Sequence, residues 1–503
     1  MIPWLRQRAA TTPDRLALVI GGRSVSFVAL EQSVRLTALR LRAAGLRRGD
    51  VLATLLWNGR PFVECLHAAA LCGATLLPLN ARASASELAF ALSDASARLL
   101  VHGPGDLAVS AREAAERAGD VARIEAGPGP AASLGDGDSR AAVDSELLEC
   151  IDPEAILAIL YTSGTTGRPK GARLPFRSFL WSAAASALHL GASAEDRWLA
   201  CLPLFHVGGI AILVRSVLAG SAVVVHERFD AAAVAASLEE EGITHVSLVP
   251  TMLSRLLEAR GERPTPSTLK CVLVGGGPAS GVLLGRARSL GFPIAPTYGL
   301  TEAASQVATL PPGTAQDGVA GWPLPGIELR IEGEGGAALL PGRPGEICIR
   351  GATVMAGYHG LPEESARALR GGWLHTGDVG VLGVDGSLRV LDRRSDLVVS
   401  GGENVYPAEV EAVLASHPDV AEAAVAGEAD PDLGQRVMAA VVLRAGARAD
   451  SRALRELCRD RLAGYKVPRR IDFVAELPRT SSGKILRRML AGGAGAGPTS
   501  AER

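Results

Sequence analysis

The run ILAILYTSGTTGRPKGA, residues 156–172, constrains the fold more than any other stretch of this chain. Its first half is a short apolar run, and it empties into Thr162-Ser163-Gly164-Thr165-Thr166-Gly167 before reaching Lys170. An apolar run of this length closed by turn residues reads as a buried strand ending in a loop. The preceding chain supplies the matching α/β alternation. LALVI and RSVSF around Gly21-Gly22 read as a hairpin, VALEQSVRLTALRLRAAG as a helix stopped at Gly45, and DVLATLL as a buried strand. FVECLHAAALCG and ATLLPLN repeat the helix-strand alternation, and the Gly/Pro/Asp-rich piece 125–140 reads as a surface loop or connection.

At 503 residues the chain is too long for one core. A second organisation begins after about residue 390. RVLDRRSDLVVSGGENVYPAEVEAVLASHPDVAEAAVAG runs strand, charged turn, Gly-rich loop, Pro-initiated helix, strand, and a further helix is expected over 451–462. The expected fold class is α/β with an α+β small lobe. A large lobe of layered sheets and helices covers 1–391, a small mobile lobe 392–490, and a disordered tail 491–503.

Charge narrows the partners. A net charge of −1 gives no electrostatic reason to expect nucleic acid or an anionic membrane, so a small molecule is the expected partner, and a homodimer is compatible with the sequence. The seven cysteines are odd in number, scattered and never in a C-x-x-C pair. Neither a disulfide framework nor a zinc site is expected, and they read as core thiols of a cytosolic protein. MIPWLRQRAATTPDR lacks a basic n-region followed by an apolar h-region, and the greasiest run, 199–220, holds Pro203, His206 and Arg215, so a cytoplasmic location is expected.

Clustered hydroxyls, glycine-exposed backbone N–H groups and one lysine make the 162–170 loop a cradle for a triphosphate. It is not a Walker A loop, because Lys170 lies three residues beyond Gly167. A bland Ser/Thr/Gly turn is the alternative. The chain holds only four lysines, Lys170, Lys270, Lys466 and Lys484, against 48 arginines. A compact ammonium follows a single developing oxyanion where an arginine fork favours two oxygens. Lys170 falls in that loop, and Lys484 in the stretch PRTSSGKILR, residues 478–487.

YTSGTTGRPKGA resembles the phosphate-loop signature of the adenylate-forming superfamily, which includes acyl-CoA synthetases and luciferases. LPLFHVGG (202–209), VGGGPAS (274–280), PTYGLTE (296–302), GEICIRG (345–351), HTGD (375–378), VLDRRSDLVVSGGENVYPAEVE (390–411) and PRTSSGKILR (478–487) resemble further signatures in the family's order. The resemblance implies an adenylate-forming enzyme fold and two half-reactions. A carboxylate attacks the α-phosphorus of ATP, giving an acyl-adenylate and pyrophosphate, and the thiol of coenzyme A then displaces AMP.

By the same resemblance, Thr162 to Gly167 and Lys170 bind phosphates, and Thr165 and Glu302 serve the Mg²⁺, a carboxylate beside a triphosphate being most useful there. Gly275, Gly276, Gly277, Thr297, Tyr298, Gly299 and Thr301 would surround the nucleotide, with Tyr298 offering a flat face to adenine. Asp378 and Arg393 would contact ribose or phosphate. Asp392 would be the hinge, and Lys484 would reach the α-phosphate during the first half-reaction only. His206 is placed beside the reacting carboxylate. Hydrogen bonding and gating suit it better than proton abstraction, because a carboxylate has no proton to lose at neutral pH. Ser400, Gly401, Gly402 and Glu403 are the expected coenzyme A contacts.

The stretches around residues 179–229 and 298–331 also resemble one branch, the o-succinylbenzoate-CoA ligases of menaquinone biosynthesis. Such an acid keeps a second carboxylate after activation, and its pocket needs a cation for it. Arg215 is the expected cation, with Gly276, Ser305 and Gln306 beside the acid. The bland reading of Arg215 is a helix-face residue snorkelling to solvent. Another aryl-, medium- or long-chain acyl-CoA ligase remains open, as do a non-catalytic acyl-adenylate or nucleotide sensor and a carrier-protein adenylation module.

Overall fold

The computed structural model describes the chain except for residues 137–146, 163–168, 278, 280, 317, 334, 393–397, 406, 479–486 and 491–503. Two compact units emerge. One holds Met1–Ala81, Leu88–Thr162 and Lys170–Asp392; the other is built on the chain beyond Asp392, with Arg82–Glu87 grouped with it.

The first unit contains three sheets. A six-stranded sheet runs in the order Ala122–Glu125, Ala97–His102, Val51–Leu55, Thr75–Pro78, Ile156–Thr162, Lys170–Pro175. Its neighbours pair in parallel except the last two strands, which are antiparallel. Val51–Leu55 is buried at every residue, as expected of a strand that gives both faces to a core. The alternating helices form where the sequence places them. Phe27–Ala43 starts at Ser26, whose side chain accepts from Ala29 N at 3.3 Å, and Arg60–Cys72 ends on Gly73 at φ 67.

A nine-stranded sheet holds the expected hairpin, Leu16–Ile20 and Arg23–Ser26, turning on Gly21 and Gly22 at φ 53 and 73. Its central strands, among them Arg197–Ala200, His245–Leu248, Cys271–Val274 and Ile294–Leu300, are parallel, and Ser305–Thr309 then pairs antiparallel to Ile294–Leu300. The third sheet is antiparallel, with Ile327–Glu332, Gly345–Gly351, Leu374–Leu382 and Leu388–Asp392 in order. One apolar core draws on all three, from Leu18, Leu52 and Ile347 among others.

The expected surface loop over 125–140 is partly an interior feature. Ala126, Ser133 and Leu134 are buried, and Glu64, fully buried on the helix Arg60–Cys72, accepts from Ser133 Oγ at 2.8 Å and Leu134 N at 2.7 Å. A buried carboxylate needs donors, and this polar stretch supplies them.

In the second unit, Val398–Ser400, Glu403–Val405, Val420–Asp430, Gly434–Leu443 and Arg470–Phe473 form one sheet. The helices Pro407–Ala415 and Ser451–Arg461 share its core through Val410, Leu414, Leu454 and Cys458. The Pro-initiated helix and the helix near 451–462 lie where the sequence indicates them. No helix among the described residues is long and apolar enough to cross a membrane.

Candidate active site

The strand Ile156–Thr162 delivers the chain to the phosphate loop. Ser163, Gly164, Thr165, Thr166 and Gly167 lie outside the described residues. Lys170 opens the returning strand, and its Nζ stands 5.4 Å from the centre of the Tyr358 ring. Tyr358 in turn donates its hydroxyl to Glu302 Oε1 at 3.0 Å. The residues around Tyr358 pair with the strand from Lys170: Ala356 N donates to Arg173 O at 2.8 Å and His359 N to Gly171 O at 2.8 Å. Met355 N reaches Glu302 O at 2.9 Å. One backbone segment therefore fixes the expected phosphate lysine and the expected metal carboxylate together.

Glu302 is buried, in the short 3₁₀ turn Thr301–Ala303 that follows Thr297, Tyr298 and Gly299. Its carboxylate contacts only the Tyr358 hydroxyl among the described residues, a donor set that fits a divalent cation. Gly299 has no room for a side chain, because a Cβ would lie 1.8 Å from Ser305 O. Gly275, first of the three glycines after the strand Cys271–Val274, would meet the Thr297 side chain at 2.7 Å, and Gly276 sits at φ 78.

Tyr298 is a buried ring, and its hydroxyl donates to Asp378 Oδ2 at 2.8 Å. The structure thus joins two expected nucleotide contacts that lie 80 residues apart. Asp378 N donates to Thr376 Oγ1 at 3.1 Å, which aims the carboxylate from the HTGD strand.

The acid side gathers around the helix Val207–Ala219. His206 occupies its N-cap position, exposed, with its ring 4.7 Å from that of Phe205. Arg215 does not snorkel. It is buried, donates to Ala211 O at 3.0 Å, Ser186 Oγ at 3.1 Å and Gln306 Oε1 at 2.8 Å, and lies 4.5 Å from the Trp198 ring centre. Every one of these partners is neutral, and among the described residues no carboxylate pairs with it. Burial pulls the guanidinium down to about 10, and the nearby Cys271 thiol, pushed up to about 12 by its own burial, is uncharged at neutral pH.

Gln306 passes the network on, donating Nε2 to Thr309 Oγ1 at 3.0 Å, which meets Thr297 Oγ1 at 2.8 Å. Ser305 follows Ala304, both at positive φ (99 and 54), a conformation held by Ser182 Oγ donating to Ala304 O at 2.7 Å.

In the second unit, Ser400 to Glu403 form a tight hairpin whose turn glycines, Gly401 and Gly402, sit at φ 58 and 84. Asp392 ends the strand Leu388–Asp392, where the chain leaves the first unit. Arg393 and Lys484 lie outside the described residues. The sequence did not reveal Tyr358, Trp198 or Ser186. The one available signal was for Tyr358, an aromatic beside Gly357 in a loop.

The family model for AMP-binding enzymes matches residues 5–359, and that for the AMP-binding enzyme C-terminal domain matches 409–484. The chain belongs to the AMP-binding enzymes. Within that family it is 45% identical over 489 residues to a 2-succinylbenzoate-CoA ligase of Geobacillus kaustophilus, covering 97% of this chain and 96% of that one. Two solved structures of the o-succinylbenzoate CoA synthetase of Bacillus subtilis are 39% identical to it. A double mutant bound to the product analogue OSB-NCoA superimposes with a TM-score of 0.90 and covers 98% of both chains. The complex with ATP and magnesium ion gives 0.72 and covers 97% of this chain and 99% of that one.

Proposed function

We propose that this AMP-binding enzyme adenylates 2-succinylbenzoate with ATP, releases pyrophosphate and transfers the acyl group to coenzyme A, a step of menaquinone biosynthesis in the cytoplasm. The observation that carries the choice of acid is Arg215. Among the described residues this buried guanidinium has only neutral partners and no anion to offset its desolvation, and the carboxylate left on the ring of 2-succinylbenzoate supplies one. Likeness to ligases named for that acid supports the same reading.

In this reading Tyr358 orients Glu302, Thr165 and Glu302 hold Mg²⁺, and Lys170 with the 162–167 loop holds the phosphates. The metal, when bound, supplies charge neutralisation at the phosphate oxygens. Asp378, braced by Tyr298, accepts from the ribose hydroxyls, with Arg393 beside it. Thr297, Gly299, Thr301 and the glycines 275–277 leave room for the base. His206 gates the acid end, where Gly276, Ser305 and Gln306 line the approach. Lys484 stabilises charge at the α-phosphate in the first step, Asp392 is the turning point between a large lobe over 1–391 and a small one over 392–490, and Ser400 to Glu403 face coenzyme A.

The test compares two acids. Arg215→Ala lowers kcat/KM on 2-succinylbenzoate by about 100-fold while changing benzoate by no more than about threefold. Equal losses on both acids sink the assignment. Lys484→Ala lowers adenylate formation by ~10²–10³ in single turnover and spares thioester formation from added acyl-adenylate, and a parallel fall in both steps rules out its role.

A further inference from the structure

We propose that Cys348, His375 and Glu332 form a binding site for a thiophilic divalent cation of the Zn²⁺ class, separate from the Mg²⁺ of the adenylation step. The strand register of the antiparallel sheet brings the three together from Ile327–Glu332, Gly345–Gly351 and Leu374–Leu382, with Cys348 directly opposite His375. All three side chains are buried, and one ligand atom from each lies within 4.8 Å of the others.

Two of the three ligand separations match those of a tetrahedral metal shell. Cys348 Sγ stands 3.3 Å from His375 Nδ1, and Glu332 Oε2 stands 3.6 Å from the same nitrogen. Around a tetrahedral zinc with its usual bond lengths, sulfur and nitrogen sit about 3.5 Å apart and nitrogen and oxygen about 3.3 Å apart. The Cys348–His375 and Glu332–His375 separations therefore lie within a few tenths of an ångström of those values, roughly the tolerance of such sites. Glu346 Oε2 also lies 3.3 Å from His375 Nδ1, and its carboxylate is the more exposed of the two. One acid, a thiol and an imidazole lie close enough to share one cation.

The cations already present are Arg330, ion-paired with Glu332, and Arg370, whose Nη2 is 3.1 Å from Glu346 Oε2. Arg330 takes Glu332 Oε1 and leaves Oε2 beside His375, where Cys348 Sγ and His375 Nδ1 face each other. A thiolate and a neutral imidazole select zinc over the hard magnesium ion that phosphate chemistry uses. Metal binding here would release the thiol proton to solvent, so that a Cys–S⁻ bond to the cation replaces Cys–S–H.

The full-length protein, stripped with a chelator and titrated with Co²⁺ alone, tests the site. We expect one equivalent to bind with an intense near-ultraviolet thiolate-to-cobalt band, and Zn²⁺ to displace it. Cys348→Ser and, independently, the shape-preserving Glu332→Gln should each weaken binding at least tenfold with native circular dichroism. Cys150→Ser, which changes the exposed cysteine, should leave the band intact. A wild-type protein without the band, a band that survives in Cys348→Ser, or one abolished by Cys150→Ser overturns the proposal.

Discussion

Two buried charges in the first unit, Glu64 and Arg215, are treated in opposite ways. Glu64 is closed off by its own chain. Arg60 Nε lies 2.8 Å away, Ser133 Oγ and Leu134 N donate at 2.8 and 2.7 Å, and Ser33 Oγ donates as well. Arg215 is buried too, yet among the described residues it meets only an amide oxygen, a hydroxyl, a helix carbonyl and an indole face. A buried ion that the fold has paired is doing structural work, because its counter-charge and donors are already spent on it. One that the fold leaves without a counter-ion has capacity for a ligand of opposite sign. The contrast separates a scaffold charge from a recognition charge without reference to motifs.

Opening the closed charge should give the largest effect. Glu64→Gln keeps the shape but leaves Arg60 without its partner and replaces two acceptor oxygens by one. Urea unfolding should show a loss of about 3 kcal/mol, while KM for the acid in the surviving folded protein stays unchanged. A change under about 0.5 kcal/mol would mean that the cluster is not what fixes the 131–136 segment.

Closing the open charge comes next. Gln306→Glu hands Arg215 an internal carboxylate 2.8 Å away while Thr309 can still donate to it. The internal anion competes with the spectator carboxylate, so kcat/KM for 2-succinylbenzoate should fall by about 30-fold, with benzoate nearly unaffected. Stability should change by less than about 1 kcal/mol, since a buried pair roughly offsets its own desolvation. If 2-succinylbenzoate turnover survives undiminished, Arg215 is a scaffold charge after all, and the comparison collapses.

Sequence carried the contiguous half of this site and little of the rest, for a physical reason. HTGD and PTYGLTE are each a contiguous motif, so that Asp378 and Glu302 could be named through the family resemblance those motifs carry. Tyr358, by contrast, matters because its segment pairs with the strand from Lys170, and that pairing depends on register across nearly 200 residues. The same holds for Cys348, His375 and Glu332. The cysteines read as core thiols in sequence, where none formed a C-x-x-C pair, and three adjacent strands make Cys348, His375 and Glu332 neighbours. The α/β alternation and the change of organisation beyond residue 390 were legible because periodicity is local. The loop over 125–140 was misread because composition marked it polar, and what drew it inward was a carboxylate some 70 residues earlier on another element.

His67 adds a third way to bury an ionisable group, which is to keep it uncharged. It lies on the same helix as Glu64, lines a small cavity with Trp4, Leu66 and Phe176, and its Nε2 has no hydrogen-bond partner among the described residues. Burial alone lowers it from the ordinary 6.5 to about 4. Between those values the unfolded chain takes up a proton that the folded chain refuses, so stability is intact above 6.5 and is lost as the pH falls toward 4. At pH 5 that loss is about 2 kcal/mol from this residue. His67→Phe keeps a ring in the space and removes the titration. Urea melts at pH 7 and pH 5 should show the variant losing about 2 kcal/mol less than the parent on acidification, whatever the substitution costs in packing at both pH values. Identical acid losses in the two proteins would show that His67 is protonated in place, and that Glu64 and Arg215 do not share their helix-lined core with a group held neutral by burial.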